Sequence, residues 1–188
     1  MKNLRYTITF YSNWHCGSGQ AAGADVDELV VKDRDGLPYV PGRTIKGLLR
    51  DAADMLVRYD GLDKDHVNTI FGHDDDNGKH GELTTLGQSF FSNAELPEDE
   101  RATIIEQKLT LYLYKSVSST AIDDDGIAKD LSLRKIQTVV PCKLEGSIRN
   151  VPEDMTGDVE KMVKLVKRLG LGRSHGLGRC KMEIEKEK

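Results

Sequence analysis

The order of its patterned segments predicts an α+β protein of the ferredoxin-like kind, an antiparallel sheet with helices on one face and insertions between its elements. Three observations carry this. Strand-period alternation opens the chain at Leu4, Tyr6, Ile8 and Phe10, and returns at its end in Cys180, Met182 and Ile184. Two segments of helical period lie between, at residues 45–59 and 157–169. Strand-like runs separate those helices, so the order is strand, helix, strands, helix, strand. No internal repeat, low-complexity tail or linker divides the chain, and residues 1–188 are read as a single domain with insertions at 60–81 and 116–135.

Taken in order, the first strand runs into Trp14-His15-Cys16-Gly17-Ser18-Gly19, a loop whose backbone could approach a ligand closely. Asp25, Asp27 and Glu28 precede a second short strand at Leu29, Val30 and Val31, closed by the turn cluster Asp33-Arg34-Asp35-Gly36. Pro41-Gly42 breaks the chain again. Thr44 is the expected N-cap of the first helix, whose buried face is Ile45, Leu48, Leu49, Ala52 and Leu56.

Residues 60–81 are polar and turn-rich, and residues 82–93 carry a weak strand pattern. Residues 98–108 read as a short helix or an exposed loop, and 109–115 as a strand. Residues 116–132 form a projecting loop or hairpin with Asp123-Asp124-Asp125-Gly126 at its tip. Ile136, Val140, Cys142, Leu144 and Ile148 then predict one long strand, and Val159, Met162, Val163, Val166 and Leu169 the buried side of the second helix.

The formal net charge of −4 excludes a globally basic nucleic-acid binder, so any anion must be held by local patches. Two such patches exist. Arg43, Lys46 and Arg50 stack along the first helix near its N-terminus, where backbone N–H groups and the helix dipole favour a phosphate. The alternative is an ordinary solvated face. Gly47 inside that helix would suit close approach by another backbone.

The second patch spans residues 161–181, with Lys161, Lys164, Lys167, Arg168, Arg173, Arg179 and Lys181 and no acidic side chain. Gly170, Gly172, Gly176 and Gly178 would let the main chain pass close to a polyanion while Arg173, His175 and Arg179 reach phosphates. The alternative is a glycine-lined turn packed on the first helix. The spacing is not GxGxxG, and no GK[ST] occurs, so neither a dinucleotide fingerprint nor a P-loop is present.

Cys16, Cys142 and Cys180 are widely spaced without a CxxC pair, which argues against a disulfide framework or cysteine zinc site and fits a reducing cytosol. No signal-peptide core or membrane-length apolar run occurs, so a cytoplasmic protein with no membrane contact is expected. His66, His73 and His80 lie among the aspartates Asp74, Asp75 and Asp76, but Gly72, Asn77 and Gly78 interrupt any helix that would align them, and a loop is the reading over a metal centre. Cys16 beside His15 lacks a partner acid for a nucleophile. Tyr11, Trp14 and Tyr39 could stack bases, with a core anchor as the alternative for Trp14.

The segments PYVPGRTIKGLLR and GLGRSHGLGRCKMEI strongly resemble the RAMP superfamily of CRISPR-associated proteins, RNA-binding proteins on a ferredoxin-like, RRM-like fold. FYSNWHCGSG, GADVDELVVKD and NTIFGHDDDNGKHGELTTLGQSFFSNAEL further resemble one branch, the repeated backbone subunit of type III effector complexes. The likeness covers most of the chain and is faintest over residues 98–133. It implies a subunit that polymerises with copies of itself and other effector subunits along a guide CRISPR RNA. The guide would lie in a groove between the first helix (Arg43, Lys46, Arg50) and the glycine-rich loop (Gly170, Gly172, Arg173, His175, Gly176, Arg179). His15 matches an N-terminal histidine to which the resemblance gives a guide contact. A hairpin within residues 116–136 would displace a base pair of the guide–target duplex. In nuclease members an aspartate after the first strand cleaves target RNA with a divalent metal. By alignment it is Asp27, as catalytic and metal-holding residue with Mg²⁺ or a similar ion, although Asp25 and Glu28 are close by. Two alternatives stand beside this: a non-catalytic scaffold, and a guide-processing endoribonuclease using His15 as base.

Overall fold

A computed structural model describes residues 1–20, 26–74 and 84–185. The elements in order are β1 (Lys2–Phe10), α1 (Gly42–Tyr59), α2 (Lys64–Phe71), β2 (Gly72–Asp74), β3 (Thr84–Leu86), β4 (Phe90–Phe91), α3 (Glu98–Glu106), β5 (Tyr114–Ser119), β6 (Arg134–Val139), β7 (Lys143–Val151), α4 (Thr156–Leu165) and β8 (Cys180–Ile184). Short 3₁₀ turns lie at Thr110–Leu113, Glu153–Met155 and Arg173–His175.

Four strands form an antiparallel sheet in the order β4-β7-β1-β8. With α1 following β1 and α4 following β7, this is the ferredoxin-like topology the pattern predicts. The register explains the alternation. Ile8 stands opposite Leu144 on one side and Met182 on the other, and Phe10 opposite Cys180, so all of these apolar side chains share one face. That face is buried under Ile45, Leu49, Ala52 and Ala53 of α1 and Val159, Met162 and Val163 of α4 in one continuous core. Trp14 joins it fully buried, its ring stacked on Phe10 at 4.5 Å between centroids. Trp14 is therefore a core anchor and not a base-stacking platform.

Several boundaries differ from the sequence pattern, each for a local reason. α1 begins at Gly42, so Thr44 sits in its first turn and not at its cap. The first amide is satisfied from outside by Asn93, whose Oδ1 accepts Gly42 N–H at 2.9 Å. Within residues 60–81 the chain forms α2, capped by Asp63, which accepts from Asp65 N–H. Val67, Ile70 and Phe71 are buried at helical spacing. The run at residues 109–115 is a 3₁₀ turn leading into β5, not a strand throughout. The long strand expected over residues 136–148 is two, because Pro141 ends the hairpin strand β6 before β7 enters the main sheet. α4 stops at Leu165; Val166 and Leu169 remain buried from an extended segment. Residues 29–31, read as a strand, are extended and tied by isolated bridges, including Val30 to Gly17.

The projecting hairpin is present. β5 and β6 form a two-stranded sheet of their own, β6 is also bridged to Trp14 and Glu28 through Val139 and Ile136, and Ile122 bridges Ala128 further out. Its tip is the acidic turn, where Asp123 Oδ1 accepts the amides of Asp125 and Ile127. Asp25, His80 and residues 75–79 and 81–83 lie outside the described residues.

Candidate nucleic-acid interface

The loop after β1 is the hub of the proposed interface. His15 carbonyl accepts Leu171 N–H at 2.9 Å, Gly178 N–H donates to Asn13 carbonyl at 2.8 Å, and Arg179 N–H to Ser12 Oγ at 2.9 Å. The glycine-rich loop is thus laid directly on residues 12–15. On its other flank the loop after β1 meets α1, because Cys16 is close to Thr44 and Arg43. The start of α1 and the glycine-rich loop lie on the same side of the molecule.

The four glycines divide into two kinds. All have positive φ. A Cβ on Gly170 would stand 2.0 Å from His15 carbonyl oxygen, and one on Gly178 would stand 1.9 Å from that of Leu169. Those two are needed for the protein's own packing. Gly172 and Gly176 flank the exposed 3₁₀ turn Arg173–His175; a Cβ on Gly172 would meet the Leu177 side chain at 2.9 Å, whereas nothing among the described residues lies within 4 Å of one at Gly176. The tip is open to a ligand.

A groove of about 480 Å³ runs between α1 and this loop, lined by Leu48, Asp51 and Met55 on one side and Lys167, Arg168 and Arg173 on the other. Arg168 donates to the Arg173 carbonyl, which fixes the turn's base. Three of the seven cations in residues 161–181 are matched by acids from elsewhere: Lys161 by Asp60 at 3.5 Å, Lys164 by Glu160 at 3.7 Å and Lys181 by Glu183 at 2.7 Å. Among the described residues, Lys167, Arg168, Arg173 and Arg179 form no ion pair.

Arg43, Lys46 and Arg50 do not line this groove. By helical spacing they occupy the neighbouring side of α1, with Gly47 between them and Asp51. Arg43 and Arg50 are exposed, Lys46 half-buried, and His175 is exposed at the turn. The patch at the α1 terminus is also less open than expected. Gly42 is buried, a Cβ there would meet Phe91 carbonyl oxygen at 2.1 Å, and Asn93 already holds its amide. No sequence signal pointed to Asn93, since its partner is fifty-one positions away.

Asp27 is exposed beside the outer half of strand β6 in the hairpin. Its N–H donates to Lys135 carbonyl at 2.8 Å and its Oδ2 accepts Lys135 N–H at 2.7 Å. Oδ1 makes no hydrogen bond among the described residues. Glu28 follows, its carbonyl accepting Gln137 N–H at 3.0 Å and its carboxylate turned to His15 Nε2 at 3.5 Å. His15 is 1% exposed, with Nδ1 donating to Gln137 carbonyl at 2.6 Å. Its ring is not presented to solvent, which weighs against a general base for guide processing.

Among the described residues no group of three or more His, Cys, Asp or Glu could hold a metal. The single open oxygen of Asp27 still suits Mg²⁺, which keeps waters and takes one or two carboxylates together with substrate phosphates. Burial pushes the Cys16 thiol's pKa up, outweighing Thr44 and Arg43, and holds Cys142 and Cys180 at about 11, so none is an activated nucleophile. His66 pairs with Asp158 at 2.8 Å and belongs to the scaffold. No described helix is long and apolar enough to cross a membrane.

A family model described as the RAMP superfamily matches residues 7–181. No curated protein matches the chain. A chain from a cryo-EM structure of the Type III-B Cmr-beta bound to cognate target RNA superposes with a TM-score of 0.72 at 10% identity, covering 98% of this chain and 97% of that one. Another, from the apo state of the Type III-B Cmr-beta, gives 0.69 at 11% identity and covers 98% of each. At that identity the likeness establishes the fold.

Proposed function

Because the chain belongs to the RAMP superfamily, we propose that it is a guide-RNA-binding backbone subunit of a type III CRISPR effector complex that cleaves complementary target RNA through Asp27. The structural likeness to chains of Type III-B Cmr-beta, one of them bound to cognate target RNA, supports placement in such a complex beside copies of itself and other subunits. The guide backbone runs past the Arg173 turn, where Lys167, Arg168 and Arg173 line the groove and, with Arg179, form no ion pair among the described residues, and Gly172 and Gly176 keep the turn slender. Arg43, Lys46 and Arg50 extend the positive surface across α1, and His175 adds a donor at the tip.

The observation that carries the cleavage reading is the position of Asp27: an exposed carboxylate pinned by Lys135 of β6 against the hairpin expected to part the duplex. RNA brings its own nucleophile. The 2′ oxygen bonds to phosphorus, the bond to the departing 5′ oxygen breaks, and a cyclic phosphate and a 5′ hydroxyl result. The protein has to align these atoms and manage charge. Asp27 Oδ1 can take the 2′ proton or orient the hydroxyl, while Lys135 N–H fixes the carboxylate's direction. A divalent ion held by Asp27, when bound, would neutralise charge on the phosphate.

One observation favours the scaffold reading instead: the Lys135 bond gives Asp27 a purely structural task. Asp27→Asn separates the two, since the amide oxygen still accepts Lys135 N–H while the charge is gone. With complexes assembled on guide RNA, Asp27→Asn is expected to lose cleavage of complementary RNA by about a hundredfold or more and to retain guide. Chelation of divalent ions should stop the wild type equally. Cleavage undiminished in Asp27→Asn would leave a binding subunit only.

A further inference from the structure

His15 joins three segments that are distant in sequence. Its carbonyl accepts Leu171 N–H from the glycine-rich loop at 2.9 Å. Its Nδ1 donates to the Gln137 carbonyl of β6, 122 residues away, at 2.6 Å. Its Nε2, buried and without a hydrogen bond among the described residues, lies 3.5 Å from Glu28 Oε2. Gly17 keeps the space beside Nε2 clear, since a Cβ there would stand 3.2 Å from it.

The ring closes the side of a short ladder between residues 27–28 and 135–137. Asp27 N–H to Lys135 carbonyl, Lys135 N–H to Asp27 Oδ2 and Gln137 N–H to Glu28 carbonyl are its rungs. Nδ1 holds one rail at Gln137 and Nε2 faces the other at Glu28. The ladder sets the direction of the Asp27 carboxylate, and a ring 1% exposed cannot touch RNA in this conformation.

We propose that His15 is a positioning residue, which acts by keeping residues 27–28 docked on strand β6 of the hairpin and so aims Asp27, and not by contacting guide RNA through its ring. This rests on the reading of Asp27 as the cleaving residue. Displacing a reacting group by about an ångström costs on the order of a hundredfold in rate, so the rung geometry is where loss of the ring would be felt.

The test uses complexes assembled on guide RNA with the wild type, Asp27→Asn, His15→Ala and His15→Asn. An asparagine amide nitrogen stands near the place of Nδ1 and can donate to Gln137. At saturating target, His15→Ala is expected to slow single-turnover cleavage about tenfold or more, with guide retention within about threefold, and His15→Asn to return most of the rate. Amide hydrogen exchange at Lys135 and Gln137 in the uncomplexed protein gives a readout that needs no cleavage: faster in His15→Ala, restored in His15→Asn. If the alanine variant does not fold, His15→Phe keeps the ring volume and carries the same expectation. Equal damage in His15→Ala and His15→Asn, or lost guide retention at an unchanged cleavage rate, overturns the proposal. Should Asp27→Asn cut normally, the cleavage reading has failed, and exchange at Lys135 and Gln137 alone decides whether His15 holds the ladder.

Discussion

Gly47 and Gly170 both belong to the proposed interface, yet alanine should act oppositely at the two. Gly170 has φ +93°, and its Cβ would collide with His15 carbonyl oxygen at 2.0 Å. Gly170→Ala is expected to destabilise the fold by about 2 kcal/mol or more, from backbone strain and a clash that only main-chain movement can relieve. Thermal unfolding of the free protein checks this. Gly47 lies exposed within α1, with nothing among the described residues inside 4 Å of a Cβ. Gly47→Ala should raise stability by about 0.5–1 kcal/mol. If the glycine is kept for an approaching RNA backbone, the same change should weaken guide binding. Unaltered binding would mean that no RNA passes over that position. The sequence shows that four glycines are concentrated between residues 170 and 178, but not that Gly170 and Gly178 serve internal packing, because the close carbonyls belong to other turns of the chain.

Among the elements, α2 and α4 are joined by an interaction that makes stability depend on pH. His66 donates to Asp158, and this hydrogen bond, more than the charges of Asp158, Asp63 and Asp154, raises the His66 pKa above its usual 6.5 against a smaller cost of desolvation. Folding therefore favours the protonated ring. The contribution is complete below the unfolded value near 6.5 and fades as pH rises through the higher folded value. The pair is partly exposed, so its worth is at most about 1 kcal/mol. His66→Ala should flatten the dependence of unfolding midpoint on pH across that window. An unchanged dependence would show that another group carries it. Elements with strong periodicity, β1, α1 and β8, are legible because one face of each meets a single core. α2 is not, since only Val67, Ile70 and Phe71 mark it and its eight residues barely fill two turns. The break between β6 and β7 escapes a period-two count because Ile136 and Leu144 keep phase across Pro141, although they lie in different sheets. Asp27 reads from the resemblance, whereas its grip on Lys135 depends on a pairing 108 positions away.

At the scale of the whole molecule, a protein of net charge −4 can hold RNA only where cations are not already matched. Counting cations along residues 161–181 overstates the site, since Asp60, Glu160 and Glu183 already meet Lys161, Lys164 and Lys181. The salt dependence of guide binding separates matched from unmatched groups, because removing a cation that binds a phosphate lowers the slope of log K against log salt by about one. Arg173→Ala and Lys167→Ala should each reduce that slope, while Lys161→Ala and Lys181→Ala should leave it nearly unchanged. The same measurement locates the strand relative to α1. A backbone in the groove beside Leu48 and Asp51 would involve Lys167, Arg168 and Arg173, whereas one crossing the adjacent side would involve Arg43, Lys46 and Arg50. A path that bends over Gly47 touches both sets, and then single changes in either reduce the slope. If only Arg43, Lys46 and Arg50 matter, the groove is not the RNA track, and the glycine-rich turn serves to hold His15.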